Sequence, residues 1–353
     1  MIRFFPSLLP LMPLLLWLLA LPFSAVYALE VDVYAGKAPV ADQGPDERDR
    51  AMPLALLNAL EKHSGVRDFS AVPELEQALA VAPSIVVSYY YDLVELPRAD
   101  GGLEQDLRLS ASFVGSRVDE LARELQLPLW RADRRVIEMW VVVDNGFQRE
   151  IMPLELGYLE ARLDDVARRR GQPLAWPRPD EDGMYPVDTQ LLWGGYTEDL
   201  AGAKGTGVMI LAAQRQGPRW DVRANLGFGE ENWGWRLDGF DLEAVLVNGL
   251  QQAIDQVAAA NSIGAAGLSS SDFKLTVEGV NTTREYQELL AYLQRLALVE
   301  RVDVIAARSD GITFQLRLNA LPNYLLDVFD HDGVIENTRQ DGRYVLAGED
   351  ELR

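Results

Sequence analysis

The sequence predicts an α/β protein of the α+β kind, built from three small units behind an apolar leader. Three observations predict it. Short strands alternating at period two are interleaved with stretches whose apolar residues recur at helical spacing. The segment after residue 271 reads β-α-β-β-α-β, and a small, flexible run at 264–271 (GAAGLSSS) sets it apart from what precedes it. The expected divisions are a signal peptide over 1–28, a unit over 29–133, a mixed α/β unit over 134–263, a linker over 264–271, a last unit over 272–347 and a tail over 348–353.

The leader comes first. Phe4 to Leu29 carries no charge, Arg3 precedes it, and the run of Leu14, Leu15, Leu16, Leu18, Leu19 and Leu21 ends before Pro22 and Val26-Tyr27-Ala28. A short positive start, an apolar middle, a helix breaker and small residues describe an export signal, with cleavage after Ala28 leaving 325 residues. The competing reading is an uncleaved anchor, since the stretch is long enough to span a bilayer. Pro6, Pro10, Pro13 and Pro22 weaken such a helix. The expected location is the periplasm or the medium. No later segment is apolar enough to span a membrane.

In the first unit, 29–40 alternates as a strand. Asp46 to His63 is helical, with Ala51, Leu54 and Leu60 on one face and Gly65 as its stop; Pro53 should kink it or mark its true first turn. A short helix follows at 74–81, then strands at 84–96 and 103–114 joined at 98–102, and a helix at 117–127. The order is β-α-α-β-β.

In the second unit, 136–143 (VIEMWVVV) is nearly continuous apolar sequence, the mark of a strand buried on both faces. A helix at 156–170 ends at Gly171, 176–187 is a loop, and antiparallel strands are expected at 206–215, 219–228 and 232–237. Leu242, Val245, Leu246, Leu250, Ile254 and Val257 form the stripe of a helix over 241–260.

The last unit begins with a strand at 273–280. Thr282 and Glu285 form a capping-box pattern for a helix with Tyr286, Leu289, Leu290, Leu293 and Leu296 on its stripe. Strands at 299–306 and 312–318, a helix at 321–329 and a strand at 344–346 complete a ferredoxin-like β-α-β-β-α-β order.

Charge and composition restrict function. The chain has 33 basic and 54 acidic residues, a net charge of −21, and with Arg3 set aside the portions 29–133, 134–265 and 266–353 carry −9, −7 and −6. Nucleic acid and anionic lipid are disfavoured partners, because both are held largely by Lys and Arg. Without cysteine there are no disulfides, no thiolate chemistry, no Cys-ligated zinc and no lipid-anchored mature terminus.

Few residues suggest chemistry. The two histidines are His63, expected to complement its helix carboxyl end, and His331, within Asp330-His331-Asp332-Gly333, where a turn explains the Asp and Gly as well as a metal would. The run at 202–207 (GAKGTG) lacks P-loop order and reads as a loop into the next strand. The second unit groups Trp176, Trp193, Trp220, Trp233 and Trp235, with Glu230 and Glu231 beside the last pair. Acids among exposed aromatics would bind or cleave a polysaccharide. Equally, Trp233 and Trp235 are two apart and would share one strand face packed on the following helix. Tyr89-Tyr90-Tyr91 would split between strand faces, for packing or for pairing with a partner strand.

The sequence resembles an uncharacterised family of exported proteobacterial proteins, domain of unknown function number 2066. The resemblance rests on His63-Ser64-Gly65, on Leu127-Pro128-Leu129-Trp130 leading to Ile137-Glu138-Met139-Trp140-Val141, on Arg170-Gly171-Gln172-Pro173-Leu174, and on Trp220 with 233–239. It implies export and no established activity. The β-α-α-β-β start is also similar to the POTRA modules of envelope assembly proteins, by analogy only. The expected function is a non-catalytic envelope accessory protein with no cofactor and protein partners; the alternative is a cell-wall or polysaccharide binding protein or hydrolase using the residues near the tryptophans.

Overall fold

A computed structural model describes residues 28–200, 206–296, 298–308, 311–340 and 343–346. All but Ala28 of the signal-peptide expectation over 1–28, and most of the 202–207 run, lie outside them. Their fold is α+β, with helices packed on separate sheets.

The first unit runs β1 (Ala28–Glu30), β2 (Ala35–Pro39), α1 (Pro45–Ser64), α2 (Leu75–Leu79), α3 (Ala82–Ile85), β3 (Val86–Pro97), β4 (Leu103–Phe113), α4 (Gly115–Glu124), β5 (Leu129–Trp130) and β6 (Asp133–Arg135). The strand expected over 29–40 is broken in two. Asp32 Oδ1 accepts the Tyr34 amide at 3.0 Å, a local turn that ends extended backbone. As a result β1 pairs with β6, while β2 joins a three-stranded antiparallel sheet of order β2-β4-β3. Helix α1 begins at Pro45, so Pro53 lies inside it rather than in its first turn. It packs so closely on β2 that a Cβ at Gly36 would sit 1.8 Å from the Ala55 carbonyl oxygen. Leu56, Leu60, Leu109, Ala111 and Val118 form the core between sheet and helices.

The second unit contains β7 (Ile137–Asp144), β8 (Arg149–Ile151), α5 (Tyr158–Arg170), β9 (Leu174–Ala175), α6 (Thr189–Gly194), β10 (Gly207–Gln216), β11 (Arg219–Phe228), β12 (Glu231–Gly239) and α7 (Leu242–Asn261). Its sheet has the order β12-β11-β10-β7-β8, with β9 also on β7. β7 pairs in parallel with β10, Ile137 opposite Gly207, and both strands are apolar and buried on both faces. One face is covered by α5 and α7 through Leu159, Leu163, Leu246, Leu250 and Ile254. On the other face Trp140, Val142 and Ile210 meet Leu192 of α6. That helix begins at an Asp188 cap within a segment too short and polar to show periodicity.

The last unit contains β13 (Ser262–Ile263), β14 (Ser271–Glu278), α8 (Thr283–Arg295), β15 (Val299–Arg308), β16 (Gly311–Leu318), α9 (Pro322–Asp332), β17 (Ile335–Gln340) and β18 (Arg343–Leu346). The capping box forms: Glu285 N donates to Thr282 Oγ1 at 3.1 Å and Thr282 N to Glu285 Oε2 at 3.0 Å. Strand order is β15-β16-β14-β18-β17. The ferredoxin-like reading needs one amendment. Strand β17 intervenes before β18, so the closing strand reaches β14 in parallel, Val277 opposite Tyr344. The residues of β17, IENTRQ, have neither alternation nor apolar bulk, so their pattern does not predict a strand.

Residues 264–271 do not form the flexible linker their composition suggests. Ala265–Gly267 is a 3-10 turn, Leu321 N donates to the Gly267 carbonyl at 3.0 Å, and a Cβ on Gly267 would lie 2.6 Å from the Tyr324 ring. Small residues are used here for close packing. The units are stitched further by β5 pairing with β13 and by buried ion pairs between α1, β4, α5 and α7.

Candidate functional site

The tryptophans do not assemble into one cleft. Trp220 on β11 and Trp233 and Trp235 on β12 lean on the core beneath α7, since Trp233 is opposite Leu226 and Trp235 opposite Ala224, both buried. Trp176 packs on the same core, its indole donating to Asp164 at 2.8 Å. Trp193 is on the opposite face, in α6, with the guanidinium carbons of Arg149 and Arg223 at 4.3 and 5.0 Å from its ring centre. Glu230 and Glu231 sit exposed at the turn from β11 to β12. The acids in the recess beside Trp233 are Glu198 and Asp199 instead. Glu198 there accepts a bond from Asn232 at 3.1 Å. The paired carboxylates flanking a tryptophan-lined groove, which a glycosidase requires, are therefore not formed by Glu230 and Glu231. Period-two spacing put Trp233 and Trp235 on one face, and the side covered by α7 made that face a packing surface.

His63 has a different partner from the one its position suggested. It lies in the last turn of α1 but is 4% exposed, and its Nε2 is 2.9 Å from Asp119 Oδ1 on α4. The Tyr34 hydroxyl donates to the same carboxylate at 3.2 and 3.4 Å. Burial, then the Asp119 charge, pushes the Tyr34 phenol well above its usual range. These three side chains edge a cavity of about 420 Å³ between the first and last units, with Trp130, Arg123 and Arg295. Among the described residues that line it there is no serine, threonine or lysine to act as nucleophile. Asp332, from the Asp330–Gly333 sequence, accepts the Tyr292 hydroxyl at 3.0 Å and lies 3.5 Å from Arg131, so it joins units.

The most exposed apolar feature of the first unit is β3. It pairs only with β4, and its outer edge pairs with no strand among the described residues. Val87 is 66% exposed, Tyr90 60% and Leu93 53%, with Tyr89 also exposed. Tyr89 and Tyr91 share the face opposite Ala111 and Leu109, their rings 6.2 Å apart edge to face. Tyr90 is on the other face. Native sheets usually blunt such an edge with charge or irregularity. β15 does so with Glu300, Arg301, Asp303 and Arg308 and two register shifts. Residues 86–91 of β3 carry no charge, and the one irregularity falls at the strand's start, between Val86 and Ser88.

Residues 28–131 match the profile of a family described as a domain of unknown function, number 8605. This differs from the family number 2066 that the motifs suggested, and it corrects that resemblance: short segments such as Leu127-Pro128 are too few in residues to single out a family. The match spans less than a third of the chain. No curated protein and no solved structure matches the chain.

Proposed function

We propose that the protein is a non-catalytic factor of the bacterial cell envelope that binds an extended segment of a partner protein along β3. The observation carrying this is the unpaired edge of β3, whose uncharged half displays Val87, Tyr89 and Tyr90 to solvent. Such an edge offers main-chain donors and acceptors for affinity and alternating apolar side chains for selectivity. A second copy of the chain is the less suitable occupant, because two molecules of net charge −21 repel. Export rests on the uncharged leader after Arg3, and a chain starting at Leu29 keeps the pairs Leu29 with Arg134 and Glu30 with Asp133.

The test places a photo-crosslinking amino acid at Val87, Leu93 and, as control, Ile305 on β15, in cells. Crosslinks to one extended segment from the two β3 positions, with hydrogen-exchange protection confined to 86–95, support the reading. Equal crosslinking from Ile305, or crosslinks only between copies of this chain, sinks it.

A further inference from the structure

A recess between the first and second units is lined almost wholly by charge. Its volume is about 330 Å³, and its walls include Lys37 of β2, Lys62 of α1, Arg108 of β4, and Arg168 and Arg169 near the end of α5. Three of these cations are matched by acids: Lys37 by Asp92 at 2.7 Å, Arg108 by Asp106 at 2.7 Å and Asp165 at 2.6 Å, and Arg169 by Asp165 at 3.3 Å. Two are not. Lys62 is 9% exposed, and among the described residues its ammonium donates only to the Ala35 carbonyl, at 2.8 Å. Asp32 and Glu61 lie near it without forming an ion pair, Lys37 and Arg134 add positive charge, and Glu61 is taken by Arg170 at 3.0 Å. The Arg168 carbonyl accepts the Gly171 amide at 3.1 Å, but its side chain makes no hydrogen bond or ion pair with a described residue.

In a chain of net charge −21, two acids, Asp92 and Asp165, against five cations on the walls of one recess is a local reversal of sign, even with Asp106 pairing Arg108 from outside the lining. Helix-end electrostatics account for the arginines of α5, since cations favour a helix carboxyl end. Lys62 also lies in the last turn of α1, but helix-end placement does not satisfy an ammonium that is 9% exposed with one hydrogen-bond acceptor. Burying an ammonium with one acceptor for three N–H groups is unfavourable unless a counter-charge arrives.

We propose that this recess binds a phosphate group, held by Lys62 and Arg168. Lys62 and Arg168, the two lining cations without an ion pair among the described residues, match the charge of a phosphate dianion, and the exposed Arg168 offers a guanidinium fork suited to two phosphate oxygens. Lys62 supplies the fixed point charge at the base. Its stem lies against Gly171, where an added Cβ would come within 3.3 Å of Lys62 Cγ.

Titration calorimetry of the protein with inorganic phosphate, glycerol phosphate and sulfate tests this. Saturable phosphate binding at neutral pH is expected, weakened roughly tenfold or more by Arg168→Glu and by Lys62→Met. Arg168 is exposed, so its variant keeps the fold even where the Lys62 variant does not. Above pH of about 8, where phosphate is already dianionic, binding should weaken as Lys62 loses its proton. Glycerol phosphate binding as well as inorganic phosphate identifies an ester ligand, and binding of inorganic phosphate alone identifies the free ion. No saturable binding at tens of millimolar, equal binding by sulfate, or wild-type affinity in Arg168→Glu overturns the proposal.

Discussion

Arg108 on β4 and Asp165 on α5 are joined by two parallel hydrogen bonds, 2.6 and 2.9 Å long, with both side chains buried. The pair fastens the first sheet to a helix of the second unit. Burial would raise the Asp165 pKa, but the Arg108 hydrogen bonds and charge outweigh it and hold the carboxyl below its usual range.

Removing one partner leaves the other charge buried. Asp165→Ala should lower unfolding free energy by about 3–5 kcal/mol in urea denaturation, and replacing both residues with apolar ones should cost less. The pH sign follows from the depressed folded-state pKa. The pair's stability is fully present above the unfolded carboxylate pKa of about 3.9 and is lost as pH falls through the lower folded value. A wild type and an Asp165→Asn variant with parallel acid-unfolding curves would contradict this.

Lys62 has the opposite balance. Burial pushes its pKa down from 10.5 to about 8. The folded state therefore binds this proton less tightly than the unfolded chain. The penalty is fully present below pH of about 8 and is relieved as pH rises toward the unfolded value, about 10.5. In phosphate-free buffer the wild type should gain about 3 kcal/mol relative to Lys62→Met across that window. Unfolding free energies measured at both ends check it, and an unchanged difference would refute it.

Gly36 allows α1 to lie on β2. Gly36→Ala would force its Cβ to 1.8 Å from backbone, which no side-chain adjustment relieves. The expected loss is about 3 kcal/mol or more, read as a lowered melting temperature.

The β3 edge should tolerate charge. Val87→Lys and Leu93→Lys are each expected to change stability by less than about 0.5 kcal/mol, because neither side chain is packed away from water. A larger loss in chemical denaturation would mean that the edge is covered within the molecule.

Tyr34 should resist ionisation. Burial and Asp119 hold its phenol far above the ordinary value of about 10, so ultraviolet titration should leave it protonated at a pH where a free phenol has titrated. Asp119→Asn should bring its transition down toward the normal range.

The elements most legible in the sequence were those whose period matched their burial. VIEMWVVV announced β7, the Leu and Val stripe announced α7, and Thr282 with Glu285 announced the start of α8. Short pairings such as β5 with β13, and the polar strand β17, carry too few residues for a period. Composition misled where small residues served close packing, at 264–271. The site residues were the least legible. Trp233 and Trp235 were placed correctly on one strand face, yet whether that face met α7 or solvent is a tertiary property. The Lys62 recess had no local signature, since its cations come from residues 37, 62, 108, 168 and 169.

By itself the sequence determined the α+β class, the order of the major strands and helices, the uncharged stretch after Arg3 and the acidic balance, because propensity, periodicity and charge are local. The tertiary structure decided which sheet each strand joined, which edge remained unpaired, and where Arg108 met Asp165. Those outcomes depend on contacts between residues far apart in the chain, where burial turns an ordinary charge into a fastening or an unmet demand for a partner.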